Sequence, residues 1–263
     1  MSDATSPSPQ RWLIIAATVA ITLAPSIVGA DEFILKPFST TVEAGQRFSV
    51  AVLSTDIFMV SQKLEAAKDV RIELCAESKR EPPVPLSPNH IALTLDARVT
   101  APSSTTFIIC ASRLAQIGSV RPNDDDESTK RTPGVSNSCT IEKFAKALIN
   151  LSIGDDGYER LVGDRLEIVP ITNPALARVG DKIKFKVLFE GQPLSTPVFA
   201  TYDRFSDRET TYAYYTQGAK DGTSEVQITH PGLWMVRVAT NVSEKAEAHD
   251  CYLARAVLVF RVK

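Results

Sequence analysis

Histidine and cysteine are scarce in this chain, with three and four copies among 263 residues. So few histidines make a dedicated multi-ligand zinc cluster hard to assemble, and four cysteines cannot supply a dense disulfide scaffold. A charge excess of either sign is also missing. The 29 basic and 31 acidic side chains give a formal charge of −2, so the basic field by which proteins engage nucleic acid is absent. The sequence holds no phosphate loop, dinucleotide fingerprint, nucleophile elbow or metalloprotease helix. No apolar run after Ala30 is long enough to span a bilayer. What is present is an ordinary globular composition, 44% hydrophobic and 23% charged, with room for one or two domains.

The first thirty residues read as an export signal. Arg11 precedes an uncharged stretch from Trp12 to Ala30, the dense apolar part ends at Pro25, and Val28-Gly29-Ala30 puts small or modest residues where signal peptidase cuts. Cleavage after Ala30 would start the mature chain at Asp31, in the periplasm or outside the cell. Retention of the segment as a single anchoring helix is the alternative. In an oxidising compartment Cys75, Cys110, Cys139 and Cys251, an even set without a CxxC pair, are expected to form two disulfides. Three connectivities are open. Cys75–Cys110 is preferred because both lie in β-like runs of one domain, which leaves Cys139–Cys251.

Strand patterning dominates the remainder. Gly45-Gln46-Arg47-Phe48-Ser49-Val50-Ala51-Val52 overlays Gly180-Asp181-Lys182-Ile183-Lys184-Phe185-Lys186-Val187. Each copy is a glycine turn followed by a half-buried strand of period two. In the second copy Lys182, Lys184 and Lys186 are expected to face water, with Ile183, Phe185 and Val187 toward a core. Further strands are expected at 33–35, 70–74, 91–95, 106–109, 225–229, 233–238 and 256–262, with Pro231-Gly232 turning Trp234 into a core. Ser61 to Lys68 has two turns of helical pattern. Ile141 to Ile153 fits helix or strand, and its second half is favoured as strand. Glu81 to Pro88 and residues 119–138, with the acidic run Asp124 to Glu127, read as surface loops. Short strands with Gly, Pro and Asn punctuation give an all-β fold of two tandem sandwich domains, 31–153 and 154–263, after the signal segment 1–30.

Candidate chemistry is thin. His249-Asp250-Cys251 puts an imidazole and a thiol on one strand face, but a disulfide at Cys251 removes the thiolate that nucleophilic catalysis needs. No nucleophile, base or cofactor motif is otherwise in place, so the chain is expected not to be an enzyme. Tyr212 and Tyr214, set to share one face of a strand over 210–216, form with Arg204 a candidate interaction surface, since Tyr and Arg are enriched at recognition sites. Cross-strand aromatic packing is the structural alternative.

One resemblance spans much of the chain. Lys146-Ala147-Leu148, Gly163-Asp164-Arg165-Leu166-Glu167-Ile168-Val169-Pro170, Asn173-Pro174, Val179-Gly180-Asp181, Gly191-Gln192-Pro193-Leu194, Asp221-Gly222 and Pro231-Gly232-Leu233-Trp234 follow in the order of a bacterial periplasmic family, domain of unknown function 4198. The sequence resembles that family, which implies immunoglobulin-like or transthyretin-like β-sandwiches and association with nickel or cobalt uptake through a membrane transporter; the alternative partner is an envelope protein bound by a sandwich face or the aromatic strand. Relatives commonly begin the mature chain with a histidine, and here that place is taken by Asp31. Nickel and cobalt prefer imidazole nitrogen to carboxylate oxygen. A metal site in this chain would therefore draw on Asp31, Glu32 and His249.

Overall fold

In the computed structural model, residues 31–76, 79–120, 137–246 and 249–263 are described, and the expected signal segment and the acidic run Asp124 to Glu127 lie outside them. The first half supplies β1 (Glu32–Pro37), β2 (Arg47–Thr55), β3 (Val70–Ala76), β4 (Lys79–Arg80), β5 (Ser87–Asn89), β6 (Thr94–Thr100), β7 (Phe107–Val120) and β8 (Asn137–Ile149). The second supplies β9 (Leu166–Pro170), β10 (Lys182–Phe189), β11 (Gln192–Pro193), β12 (Pro197–Tyr202), β13 (Tyr214–Gln217), β14 (Thr223–Gln227), β15 (Gly232–Ala246) and β16 (His249–Val262). Three short 3₁₀ turns are the only helical elements among the described residues. The chain is all-β.

The strands form three layers. A central eight-stranded sheet runs in the order β13-β12-β15-β16-β8-β7-β3-β4. One of its faces carries the sheet β1-β2-β6-β5 from the first half, and the other carries β9, β10, β11 and β14 from the second. The halves are joined edge to edge, because β8 pairs in parallel with β16 from Cys139↔Cys251 to Ala147↔Val259. Each half therefore closes its own core against strands of both. Ala145, Ala147, Ile149, Met235, Val257 and Val259 face the first core, while Phe144, Leu148, Trp234, Val236, Leu258 and Phe260 face the second.

This layering explains two kinds of strand sequence. A strand covered on both faces has no wet side, so it reads as a continuous apolar run, as Ala256-Val257-Leu258-Val259-Phe260 does. Outer strands have one wet face and alternate. In β10, Ile183, Phe185 and Val187 are fully buried while Lys182 and Lys184 are exposed, as expected. The repeated glycine-led segments become β2 and β10, one in each outer layer. Gly45 and Gly180 both adopt positive φ, 79° and 101°, where a side chain would strain the turn.

Two local expectations are corrected. Ser61 to Lys68 is not helical: the N–H groups of Gln62 and Lys63 donate to the Ser54 carbonyl at 3.0 and 3.2 Å, and the Ser61 hydroxyl bonds the Leu93 carbonyl at 2.7 Å. Those bonds leave only the turn Ala67–Asp69. Residues 91–93 are a turn, since the Asn89 side chain accepts from the N–H groups of Ile91 and Ala92, and β6 starts at Thr94. The ambiguous stretch from Ile141 is strand throughout as far as Ile149. The two disulfides pair as preferred, Cys75–Cys110 across β3 and β7, and Cys139–Cys251 at the head of the parallel pair.

The family-like segment Gly163 to Glu167 forms a buried clasp between the halves. Lys146 of β8 projects into the second core, where its Nζ meets Glu167 Oε1 at 2.8 Å. Glu167 also accepts the N–H groups of Val162 and Gly163 at 2.7 and 3.1 Å. Beside it, Asp164 pairs with Arg80, which also bonds Glu73 at 2.9 Å and the Val162 carbonyl. Burial pushes the Lys146 ammonium down and the Asp164 carboxyl up from their ordinary pKa values, and each partner acts in the opposite direction. Breaking such a pair leaves an uncompensated buried charge, whereas replacing both members does not. Glu167→Ala should therefore destabilise the fold by about 3–5 kcal/mol in denaturant unfolding, and the double variant Lys146→Met, Glu167→Gln, which removes both charges and keeps an acceptor for Val162 and Gly163, should recover most of that loss. A double variant as unstable as the single one would show that the clasp matters through shape and not charge.

Candidate functional site

The face of the central sheet that carries the first core turns from apolar to cationic at one end. Arg113 on β7 is directly opposite Lys143 on β8, and Lys143 is directly opposite Arg255 on β16. Arg237 on β15 lies two residues from Ala239, the partner of Arg255. Adjacent strands are about 4.8 Å apart, so these cations form a row across four strands. All four residues are buried, with exposures between 1 and 5%. A register shift after Arg113 breaks the ladder at that point, and bulges of this kind re-aim neighbouring side chains.

Carboxylates reach the row from the layer above. Glu32, the first residue of β1, accepts from Arg237 Nε at 2.6 Å, lies 3.7 Å from Arg255 Nη1, and takes the Tyr212 hydroxyl at 3.3 Å. Glu65 sits 3.6 Å from Arg113 Nη1 and is held by the Ser54 hydroxyl at 2.8 Å. The Asp31 carbonyl accepts from Lys143 Nζ at 2.5 Å, while its carboxylate faces Lys63 at 3.9 Å. Asp56 lies nearby, and its carboxyl pKa is raised by burial first and then by Asp31, Glu32 and Glu209. Arg237 also lies 4.8 Å from the centre of the Phe199 ring and 5.6 Å from that of Tyr212, a cation–π arrangement.

The cluster is not closed on itself. Glu32 Oε2, Asp56 Oδ1, and both Nε and Nη2 of Arg113 are buried without a hydrogen-bond partner in the protein. Unpartnered buried polar atoms are rare in native structures. Here both acceptors and donors are open within one cluster. The Lys143 ammonium is pushed down to about 7 by burial first and then by Arg113 and Arg255.

The sequence candidates divide around this site. Asp31, Glu32 and Tyr212 converge on it. His249 does not, because it lies six residues along β16 from Arg255, roughly 20 Å at the rise of a strand. Among the described residues no group of three or more His, Cys, Asp and Glu side chains is placed to hold a metal ion. Tyr212 and Tyr214 do not share a face. The strand starts only at Tyr214, Thr210 is in a left-handed turn with its N–H on the Asp56 carbonyl, and the two rings pack on opposite cores. Arg204 is exposed in the turn after β12 at φ 67°. Cys251 is in a disulfide, so the His249–Cys251 nucleophile pair does not exist. Arg113, Lys143, Arg237 and Arg255 were not legible as a site, because their single charges are spread over 143 positions of sequence and only strand register unites them.

A family profile described as Domain of unknown function (DUF4198) matches residues 28–241. No curated protein matches the chain. Among solved structures, the D0-D1 domain of intimin aligns at 13% identity over 87% of this chain and 97% of its own, with a TM-score of 0.22. The D00-D0 domain of intimin aligns at 11% identity over 87% and 98%, with a TM-score of 0.20. The Bacillus anthracis TIE protein aligns at 10% identity over 88% of this chain and 41% of its own, with a TM-score of 0.20. Superpositions this loose carry no argument, and the all-β assignment rests on the strands themselves.

Lys143 makes the site sensitive to pH. Its folded pKa of about 7 lies below the ordinary 10.5, so between those values the unfolded chain binds more protons and stability rises with pH. Below about 7 both states are protonated, and the full cost of the buried ammonium is present. Denaturant unfolding from pH 7 to 10 should therefore show a rising contribution of up to about 1.4 kcal/mol per pH unit that Lys143→Met abolishes. Equal slopes in the two proteins would place the lysine in contact with water.

Proposed function

This chain belongs to the family of domain of unknown function 4198, and from that premise we propose that it is a non-enzymatic periplasmic binding or transport-accessory protein whose recognition site is the charged end of its first core. The observation that carries the reading is the open state of that cluster. A purely structural ion-pair network satisfies its buried atoms, and this one leaves donors on Arg113 and acceptors on Glu32 and Asp56 unused. The two disulfides support an oxidising compartment outside the cytoplasm, and they leave no thiolate for catalysis.

The finer form of the proposal is that the cargo is a divalent transition metal, nickel or cobalt, delivered to or from a membrane transporter. Asp31 and Glu32 are its oxygen donors, and their convergence supports it. The adjacent cations oppose it, since a dication at the open Glu32 Oε2 would stand beside Arg237 and Arg255, both of which pair with Oε1. A second reading, contact with another envelope protein, is favoured by β13, which ends the central sheet and leaves Tyr215 58% exposed. An unpaired strand edge is a ready template for another chain.

Equilibrium titration of the purified protein with nickel and cobalt separates these forms. Metal cargo requires binding below about 10 µM that falls at least tenfold in the Asp31→Asn, Glu32→Gln double variant. No binding at that level removes the metal form.

A further inference from the structure

The open question in the cationic row is why a guanidinium should be buried with two of its three nitrogens idle. Arg113 has a side-chain exposure of 1%. Its Nη1 is the nitrogen nearest Glu65, and its Nε and Nη2 have no partner. Those two nitrogens share one edge of the planar guanidinium, the edge whose parallel N–H bonds match two oxygens of a carboxylate or phosphate. Lys143 and Arg255 stand on the next two strands. Like charges on directly opposed strand positions repel, so the row is in need of anions.

Few of them are present among the described residues. The buried guanidinium groups of Arg113, Arg237 and Arg255, and the Lys143 amine whose pKa burial lowers to about 7, face two buried carboxylates, Glu32 and Glu65. Glu32 is already committed to Arg237 and Arg255. The Asp31 carboxylate faces Lys63, and burial raises the Asp56 carboxyl pKa. Over the row lies the segment between β2 and β3, and Glu65 from that segment is the group that touches Arg113.

We propose that Arg113, flanked by Lys143 and Arg255, is a binding site for a small oxyanion, a carboxylate or phosphate group, taken side-on by the Nε/Nη2 edge, with Glu65 as the internal competitor that the ligand displaces. The site rests on the same open cluster as the binding reading, but its ligand atoms are the cations Arg113, Lys143 and Arg255 and not the Asp31 and Glu32 carboxylates of the metal form. It gives the unpartnered edge two acceptors and the row the charge that it lacks.

The test is isothermal titration calorimetry of the purified, disulfide-intact protein with inorganic phosphate and, separately, with succinate, in a buffer free of other oxyanions. At least one probe is expected to bind with a dissociation constant below about 1 mM, and the tighter of the two identifies the source of the oxyanion. Arg113→Lys keeps the charge and removes the paired edge, so it should weaken binding at least tenfold. Glu65→Gln removes the competitor and should tighten binding at least threefold, a readout that survives if the Arg113 variant fails to fold. Lack of binding of both probes at about 10 mM, an Arg113→Lys protein that binds as tightly as the parent, or a Glu65→Gln protein with unchanged or weaker binding overturns the proposal. Nickel and cobalt titrations read the metal form alone, so either idea can fail without the other.

Discussion

Everything in this molecule depends on the parallel pairing of β8 with β16. Without it the chain would be two half-sandwiches, each with a long apolar face and an open edge. With it, the strands of both halves become one eight-stranded sheet whose two faces are covered by separate outer layers. The first core then includes Met235 and Val259 from the second half, and the second core includes Phe144 and Leu148 from the first. Cys139–Cys251 ties directly opposed residues at the head of that pair, and the Lys146–Glu167 clasp fastens β8 to the layer that lies over it. Disulfide, ion pair and hydrogen-bond ladder all secure one seam.

A sheet buried on both faces is a costly place for charge. Removing an ion from water carries a penalty of several kcal/mol that only close partners offset. The molecule nevertheless holds two charged groups on opposite faces of β8, one around Lys146 and one around Lys143. They differ in closure. Glu167 is held by an ammonium and two backbone N–H groups, so it serves the seam. Around Lys143 the cations outnumber the buried carboxylates, and buried donors and acceptors stay unused. That difference in completeness, more than the amount of charge, separates the two networks.

Much of the fold was legible in the sequence because it is local. Alternation in Lys182 to Val187 and the positive-φ turns at Gly45 and Gly180 follow from one strand and one turn each. The errors were local competitions that side chains decided: Asn89 capped a turn where β-propensity suggested a strand, and Ser54 captured the N–H groups of a segment with helical spacing. The shared sheet left a mark that is easy to misread, the unbroken apolar run of Ala256 to Phe260, since a strand with two dry faces has no period. The site was legible only in part. Asp31, Glu32 and Tyr212 stood out by position or type, but Arg113, Lys143, Arg237 and Arg255 gain meaning only from register, which no window of sequence contains.

The seam also sets the order in which the molecule can be made. β8 and β16 are separated by a loop whose disulfide-linked ends are 112 residues apart, so β16 reaches β8 only after the intervening strands have been made. Until it arrives, β8 presents an unpaired edge and an uncovered apolar face, the two features that lead nascent chains to associate wrongly. The first half can fold its hairpins but cannot finish its core. Closure of so distant a contact is slow, which makes the interval before β16 docks on β8 the period in which this fold is most open to wrong association.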